Sequence, residues 1–287
     1  MENKKFKELM VRTVSGVVML LLFIGALVWS KWSVGALFAV IMLGSLVEFY
    51  RLCRKKEYEP MYSVGIATAV ALFALAFAVF LQWGAPATEM TARVVLGALL
   101  YTMLIVPATF VCEVWRKSST PIENIATTFM GVIYVALPMA MLLFIPQMLV
   151  GKWSAWAMMA FVSIIWINDI CAYLVGVTLG KHRLCERISP KKSWEGFFGG
   201  LIGAVGFAVL FGHLFGGNLF VWGGLGLVSA LAGVAGDLVE SLMKREADVK
   251  DSGKMMPGHG GFLDRFDALF VAVPFAVIYL ILTRMFV

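Results

Sequence analysis

The chain has 287 residues, 61% of them hydrophobic and 15% charged, with a formal net charge of +6. A soluble domain carries roughly 25% charged residues, so the composition excludes a water-soluble globular protein and points to a bilayer. Long apolar blocks replace the alternating segments of about 10 residues that build a membrane β-barrel, and the expected fold class is all-α, a polytopic integral membrane protein.

Nine blocks are each comparable to the roughly 20 residues that cross a hydrocarbon core as a helix. They run near 14–31, 33–50, 62–81, 94–112, 126–148, 154–178, 196–215, 219–242 and 266–284. The first reads as an anchor rather than a cleaved signal, because no small-residue cleavage site follows Trp29. Pro107 interrupts the fourth block and Pro138 the fifth, which membrane helices tolerate when neighbours satisfy the freed carbonyls. With the N-terminus inside, twenty of the 24 Lys and Arg fall on the cytoplasmic side, all but Lys31, Arg93, Lys152 and Arg284. Basic residues collect on that side, and one missed helix would invert every later loop. The expected topology is therefore nine spans with the N-terminus in the cytoplasm and the C-terminus outside. The positive charge then belongs to inward loops that meet anionic lipid and phosphates, and no nucleic-acid partner is expected. Cys53, Cys112, Cys171 and Cys185 lack metal-like spacing and are expected to stay reduced.

The polar residues divide the chain. Residues 1–150, spans one to five, hold little inside the membrane except Glu48, which reads as an ion-pair member at the inner interface. Residues 151–287, spans six to nine, form the expected catalytic region, with cytoplasmic loops 181–195 and 243–265. Neither loop approaches the ~40 residues below which domains rarely fold alone, so any chemistry must come from helix ends and short loops.

Three clusters in this region stand out. Asn168-Asp169 lies towards the inner end of the sixth span, where Asp169, Ala172, Tyr173 and Gly176 share one helical face. A carboxylate at that depth normally faces protein or water, as a functional group or as a tie between helices. The loop Ser189-Pro190-Lys191-Lys192-Ser193-Trp194-Glu195-Gly196 precedes the seventh span. Lysines and serines ahead of a helix N-terminus suit an anion, although any inward loop is basic. In the third cluster Asp237, Glu240, Ser241 and Lys244 line one face of the eighth span. Arg245, Lys250-Asp251, the turn Pro257-Gly258-His259-Gly260-Gly261 and Asp264-Arg265-Phe266-Asp267 follow. Carboxylates among lysines, arginines and glycines suit a metal-bound polyphosphate, since oxygen ligands hold Mg²⁺ and fixed cations neutralise phosphate.

The string from Ser241 through Lys244-Arg245, Lys250-Asp251, Gly253, Pro257, His259-Gly260-Gly261 and Asp264-Arg265 to Asp267 resembles the signature of phosphatidate cytidylyltransferases, the CDP-diacylglycerol synthases. Asn168-Asp169 and the 189–196 loop match the same family in the same order, and the resemblance covers about residues 166–275. Met256 stands where the family more often carries Leu, Ile or Phe. The resemblance implies transfer of CMP from CTP to phosphatidic acid, giving CDP-diacylglycerol and pyrophosphate for phospholipid biosynthesis. It also implies a multi-pass protein of the cell inner membrane whose active site faces the cytoplasm. Membrane lipids are the expected surroundings and a homodimer is compatible with the family.

On the motif positions, Asp237 and Asp264 are the expected holders of Mg²⁺, with a second cation allowed and Asp169 as a third ligand or as the orienter of one. Asp237, Asp264, Lys244 and Arg265 form the expected catalytic set. Lys191, Lys192, Ser193, Ser241, Arg245, Lys250, His259, Gly260 and Gly261 form the expected substrate-binding set. A CTP-dependent lipid kinase would use the same groups but transfer the γ-phosphoryl. A transporter would also carry intramembrane Asp, usually with matching broken helices in both halves. A scaffold has little use for a Gly-rich turn beside carboxylates.

Overall fold

The structure is a computed structural model that describes residues 2–83, 89–253 and 260–286. Among the described residues, eight helices are long and apolar enough to cross a membrane, and Thr13–Trp29 adds a shorter apolar stretch. All nine expected blocks are thus helical, and the chain is an all-α polytopic membrane protein.

The helices are α1 (Glu2–Trp29), α2 (Lys31–Arg54), α3 (Tyr62–Leu81), α4 (Glu89–Arg116), α5 (Pro121–Gly131), α6 (Leu137–Leu142), α7 (Ile145–Val150), α8 (Ala155–Leu179), α9 (Trp194–Leu214), α10 (Leu219–Glu246) and α11 (Leu263–Phe286). Ser30 separates α1 from α2 through a capping box: the Ser33 N–H donates to Ser30 Oγ at 3.1 Å and the Ser30 N–H to Ser33 Oγ at 3.0 Å. Between α5 and α6 the chain winds as a π-turn over Val132–Ala136. Pro138 follows it, lacks an N–H and crowds the carbonyl four residues back, so the wider turn takes up the mismatch. Pro107 lies within α4.

One compact unit comprises residues 1–143 and 246–265. Phe38, Leu46, Tyr50, Phe80, Val135 and Met139 are among its fully buried side chains. Tyr50 donates its hydroxyl to the Thr128 carbonyl at 2.7 Å, and Gly65 and Gly131 leave room for its ring. Buried Asn124 donates to Glu113 at 2.7 Å, and Arg116 donates to the same carboxylate at 2.8 Å. That network ties the end of α4 to the start of α5 and leaves the buried amide satisfied.

The second unit comprises residues 144–245 and 266–287. Its α8 and α9 pack along their lengths, and small residues allow the approach: Gly196 lies against the Ala172 carbonyl, Gly200 against Asn168 and Gly203 against Cys171. Between these helices, Arg183–Cys185 (β1) and Ser189–Ser193 (β2) form an antiparallel hairpin, pairing Arg183 with Ser193 and Cys185 with Ser189. Near the C-terminus, Arg284 donates to the Gln147 and Met148 carbonyls at 2.9 and 2.8 Å, satisfying the end of α7. Helix α11 begins at Leu263, three residues ahead of the expected block, so Asp264 sits in its first turn, where an acidic side chain favours the helix dipole.

Candidate functional site

The acidic centre of the second unit follows from helical spacing. Asp237 and Glu240 are three residues apart on α10 and project from one face, and Asp267 comes from α11. One carboxylate oxygen from each of the three lies within 4.8 Å of the others. Glu240 is fully buried, and Lys244, one turn further on, pairs with it at 2.5 Å. Ser241 donates its hydroxyl to Asp237 at 3.2 Å. Lys192, carried in by β2, reaches the other Asp237 oxygen at 2.6 Å. Asp169 lies within electrostatic reach of Asp237 and Lys192 and accepts from the Asn168 amide at 3.3 Å. Asp267 feels the charges of Asp237 and Asp169 as well as Lys244. Gly236 makes this closeness possible, since a Cβ there would meet the Asp267 carbonyl at 2.7 Å.

The hairpin serves this centre. Its strand ends at Ser193, which caps α9 by accepting from the Gly196 N–H at 3.2 Å. The same residue is buried against α8, because Gly176 and Gly180 leave no Cβ in its way. Glu195 accepts from the Lys181 and His182 N–H groups and pairs with the His182 ring at 2.6 Å, closing the base of the hairpin. Lys192 is thereby held facing Asp237, while Lys191 is exposed. Arg245 is also exposed, with its Nε donating to the Ile188 carbonyl at 3.4 Å.

The remaining expected residues that the structure describes lie in the first unit. Asp264 accepts from the Ser252 N–H at both oxygens, Oδ2 at 3.0 Å and Oδ1 at 3.1 Å, and from the Gly261 N–H at Oδ2, 2.8 Å. Gly260 uses its conformational freedom, with φ of 85°. Lys250 and Arg265 are exposed. His259 lies outside the described residues.

Of the expected set, the second unit brings together Asp237, Asp169, Lys192, Ser241 and Lys244. It adds Glu240 and Asp267, which lie on the expected helices but outside the expected metal set. The i, i+3 spacing signalled Glu240; the approach of Asp267 depends on how α10 and α11 pack and had no such signal. Glu48, expected as an ion-pair member, has a buried carboxylate that accepts from the Leu263 N–H at 2.9 Å and the Ser252 hydroxyl at 3.4 Å.

Comparison with known proteins places these residues in context. The pattern of the cytidylyltransferase family matches residues 10–283. A phosphatidate cytidylyltransferase of Staphylococcus aureus is 48% identical over 120 residues, covering 41% of this chain and 46% of the relative. One from Haemophilus influenzae is 45% identical over 119 residues, covering 39% and 41%. A third, from Staphylococcus epidermidis, is 43% identical over 122 residues, covering 42% and 47%. The chain thus spans less than half the length of these relatives.

Proposed function

This chain belongs to the cytidylyltransferase family, and from that premise we propose that it transfers CMP from CTP to phosphatidic acid, forming CDP-diacylglycerol and pyrophosphate. The observation that carries this reading is the trio Asp237, Glu240 and Asp267, gathered within 4.8 Å beside Lys192 and Lys244 on membrane helices. The names of the relatives support phosphatidate as acceptor.

The donor set fits a divalent cation. All three groups are hard carboxylate oxygens of the kind that bind Mg²⁺, and two ammonium groups already lie against them. Asp237, Glu240 and Asp267 would hold the ion, with Asp169 beside them. When bound, the cation neutralises phosphate charge as pyrophosphate departs. A phosphate oxygen of the lipid attacks the α-phosphorus of CTP, the bond from that phosphorus to the bridging oxygen breaks, and pyrophosphate leaves with the electron pair. The acceptor brings its own nucleophile, so the protein's part is positioning and electrostatics.

Within that part, Ser241 orients Asp237 and Lys244 holds Glu240. Lys192, with Lys191 beside it on β2 and Arg245 of α10 donating to the Ile188 carbonyl of the same hairpin, binds phosphate oxygens. Lys250, His259, Gly260, Arg265 and Asp264 are proposed for phosphate and metal handling on the strength of the motif. The basic loops support a cytoplasmic active site in a cell inner membrane, where CTP arrives from water and both lipids stay in the bilayer. Residues 151–287 are proposed to carry most of the chemistry, and a homodimer is compatible with the family.

The test is the purified protein in detergent with CTP, phosphatidic acid and Mg²⁺. Lipid-linked CMP and pyrophosphate should appear in equal amounts. Free CDP with a newly phosphorylated lipid would replace this reading with the kinase.

A further inference from the structure

Helix α2 contributes one carboxylate to the loop that carries the family signature. Glu48 has no exposed surface, and among the described residues its carboxylate is met by a backbone N–H and a hydroxyl. Its Oε2 accepts from the Leu263 N–H at 2.9 Å and from the Ser252 hydroxyl at 3.4 Å, across more than 200 residues of chain. One turn earlier on the same face, Gly44 receives the Phe262 ring. Glu48 therefore grips both described ends of the loop, Ser252–Gly253 and Gly260–Leu263.

Two signature glycines take their reason from this carboxylate. A Cβ at Gly253 or at Gly261 would run into the Glu48 carboxyl group. Neither residue has a positive φ, whereas Gly260 does. Gly260 is glycine for its backbone conformation; Gly253 and Gly261 are glycine because Glu48 occupies the space a side chain would need. Asp264 completes the arrangement by accepting from the Ser252 and Gly261 N–H groups. Two carboxylates, one from α2 and one from α11, thus bind backbone and hydroxyl donors at both ends of one loop. A buried carboxylate is costly unless such donors satisfy it, so a purely apolar α2 would be the simpler way to pack this helix.

We propose that Glu48 is a positioning residue for the signature residues around it, holding Ser252 and the Gly260–Leu263 backbone where they orient Asp264, one of the residues assigned to phosphate and metal handling. The proposal deepens the cytidylyltransferase reading and rests on it for the identity of the triphosphate. Glu48 touches no reacting atom; it acts through Ser252, Leu263 and Asp264.

Two measurements on the same detergent-purified proteins test it. The first is hydrogen exchange across the 252–264 segment, which needs no activity. Glu48→Ala should speed exchange at Ser252, Gly261 and Leu263 by at least ~10-fold while α8 and α9 keep parental protection. The second is steady-state kinetics: KM for CTP should rise about 10-fold or more with KM for phosphatidate unchanged. Glu48→Gln keeps an acceptor oxygen and should return both readouts to within about threefold of the parent. Should the alanine variant fail to insert, Glu48→Asp, one methylene short of its donors, takes its place. Gly261→Ala should reproduce the defect, and adding it to Glu48→Ala should cost little more, because both remove one contact. Unchanged exchange in the loop would overturn the proposal, as would parental KM for CTP in the alanine variant. A glutamine variant as impaired as alanine would also overturn it, since Glu48 would then act by charge. An inactive parent with the expected exchange pattern would instead sink the cytidylyltransferase reading and leave the anchor standing.

Discussion

Replacing Asp237 with Asn separates catalysis from stability, because the structure predicts a large effect on one and a small effect on the other. Asp237 makes a 2.6 Å ion pair with Lys192 and accepts from Ser241 at 3.2 Å. The two side chains of the pair are 36% and 25% exposed. An ion pair that open to solvent contributes at most about 1 kcal/mol, and asparagine retains an oxygen for Ser241. Folding should therefore weaken by no more than about 1 kcal/mol. Catalysis depends on a different quantity. Asn removes one negative charge from the trio where a divalent cation and a triphosphate must be neutralised together. Removing one preorganised electrostatic contact of this kind costs about 100- to 1,000-fold in rate, or roughly 2.7–4 kcal/mol. The assay is pyrophosphate release against Mg²⁺ concentration for Asp237→Asn and the parent, with thermal unfolding in the same detergent. The variant should unfold near the parental temperature and turn over at least ~100-fold more slowly at limiting Mg²⁺. Parental rates at every Mg²⁺ concentration, in a variant that inserts normally, would refute the placement of the cation.

Three further outcomes follow from the same contacts. Glu240→Gln, which removes the charge of a buried member of the trio, should lose about 100-fold in turnover, and normal turnover in that variant would leave Glu240 as no more than a partner for Lys244. Gly200→Ala drives a methyl group to 2.7 Å from Asn168 Oδ1 and 2.8 Å from its carbonyl; overpacking of this kind costs about 1–3 kcal/mol, read as a lowered unfolding temperature. Reporter fusions after Lys56, Lys117, Lys192 and Arg245 should all report the cytoplasm, and an outside signal at any one would break the proposed orientation.

The helices were readable because crossing a bilayer demands length and apolarity, and both are properties of a linear string. The π-turn at Val132–Ala136 was less readable: Pro138 announced a disturbance in the fifth span but not whether a kink, a break or a wider turn would absorb it. The β1–β2 hairpin had no signal, since Ser189-Pro190-Lys191-Lys192-Ser193 is poor in strand-forming side chains. Its pairing is imposed by the short connection between α8 and α9 and by Glu195 closing its base. At the site, the stripe Asp237, Glu240, Ser241 and Lys244 was visible from helical spacing. The contact of Asp267 with that stripe depends on α10 meeting α11 at Gly236, which spacing along one helix cannot express. Glu48 was the hardest residue to read, because its donors lie more than 200 residues away and its approach is recorded in the sequence only as two glycines.

The central claim concerns which phosphorus of CTP reaches the lipid, and position-specific labelling answers it directly. Purified protein receives phosphatidic acid, Mg²⁺ and CTP carrying radioactive phosphorus at the α position in one reaction and at the γ position in another. Lipid extraction should recover the α label in the organic phase, while the γ label stays in water as pyrophosphate. A γ label in the lipid with the α label left in CDP would contradict the account.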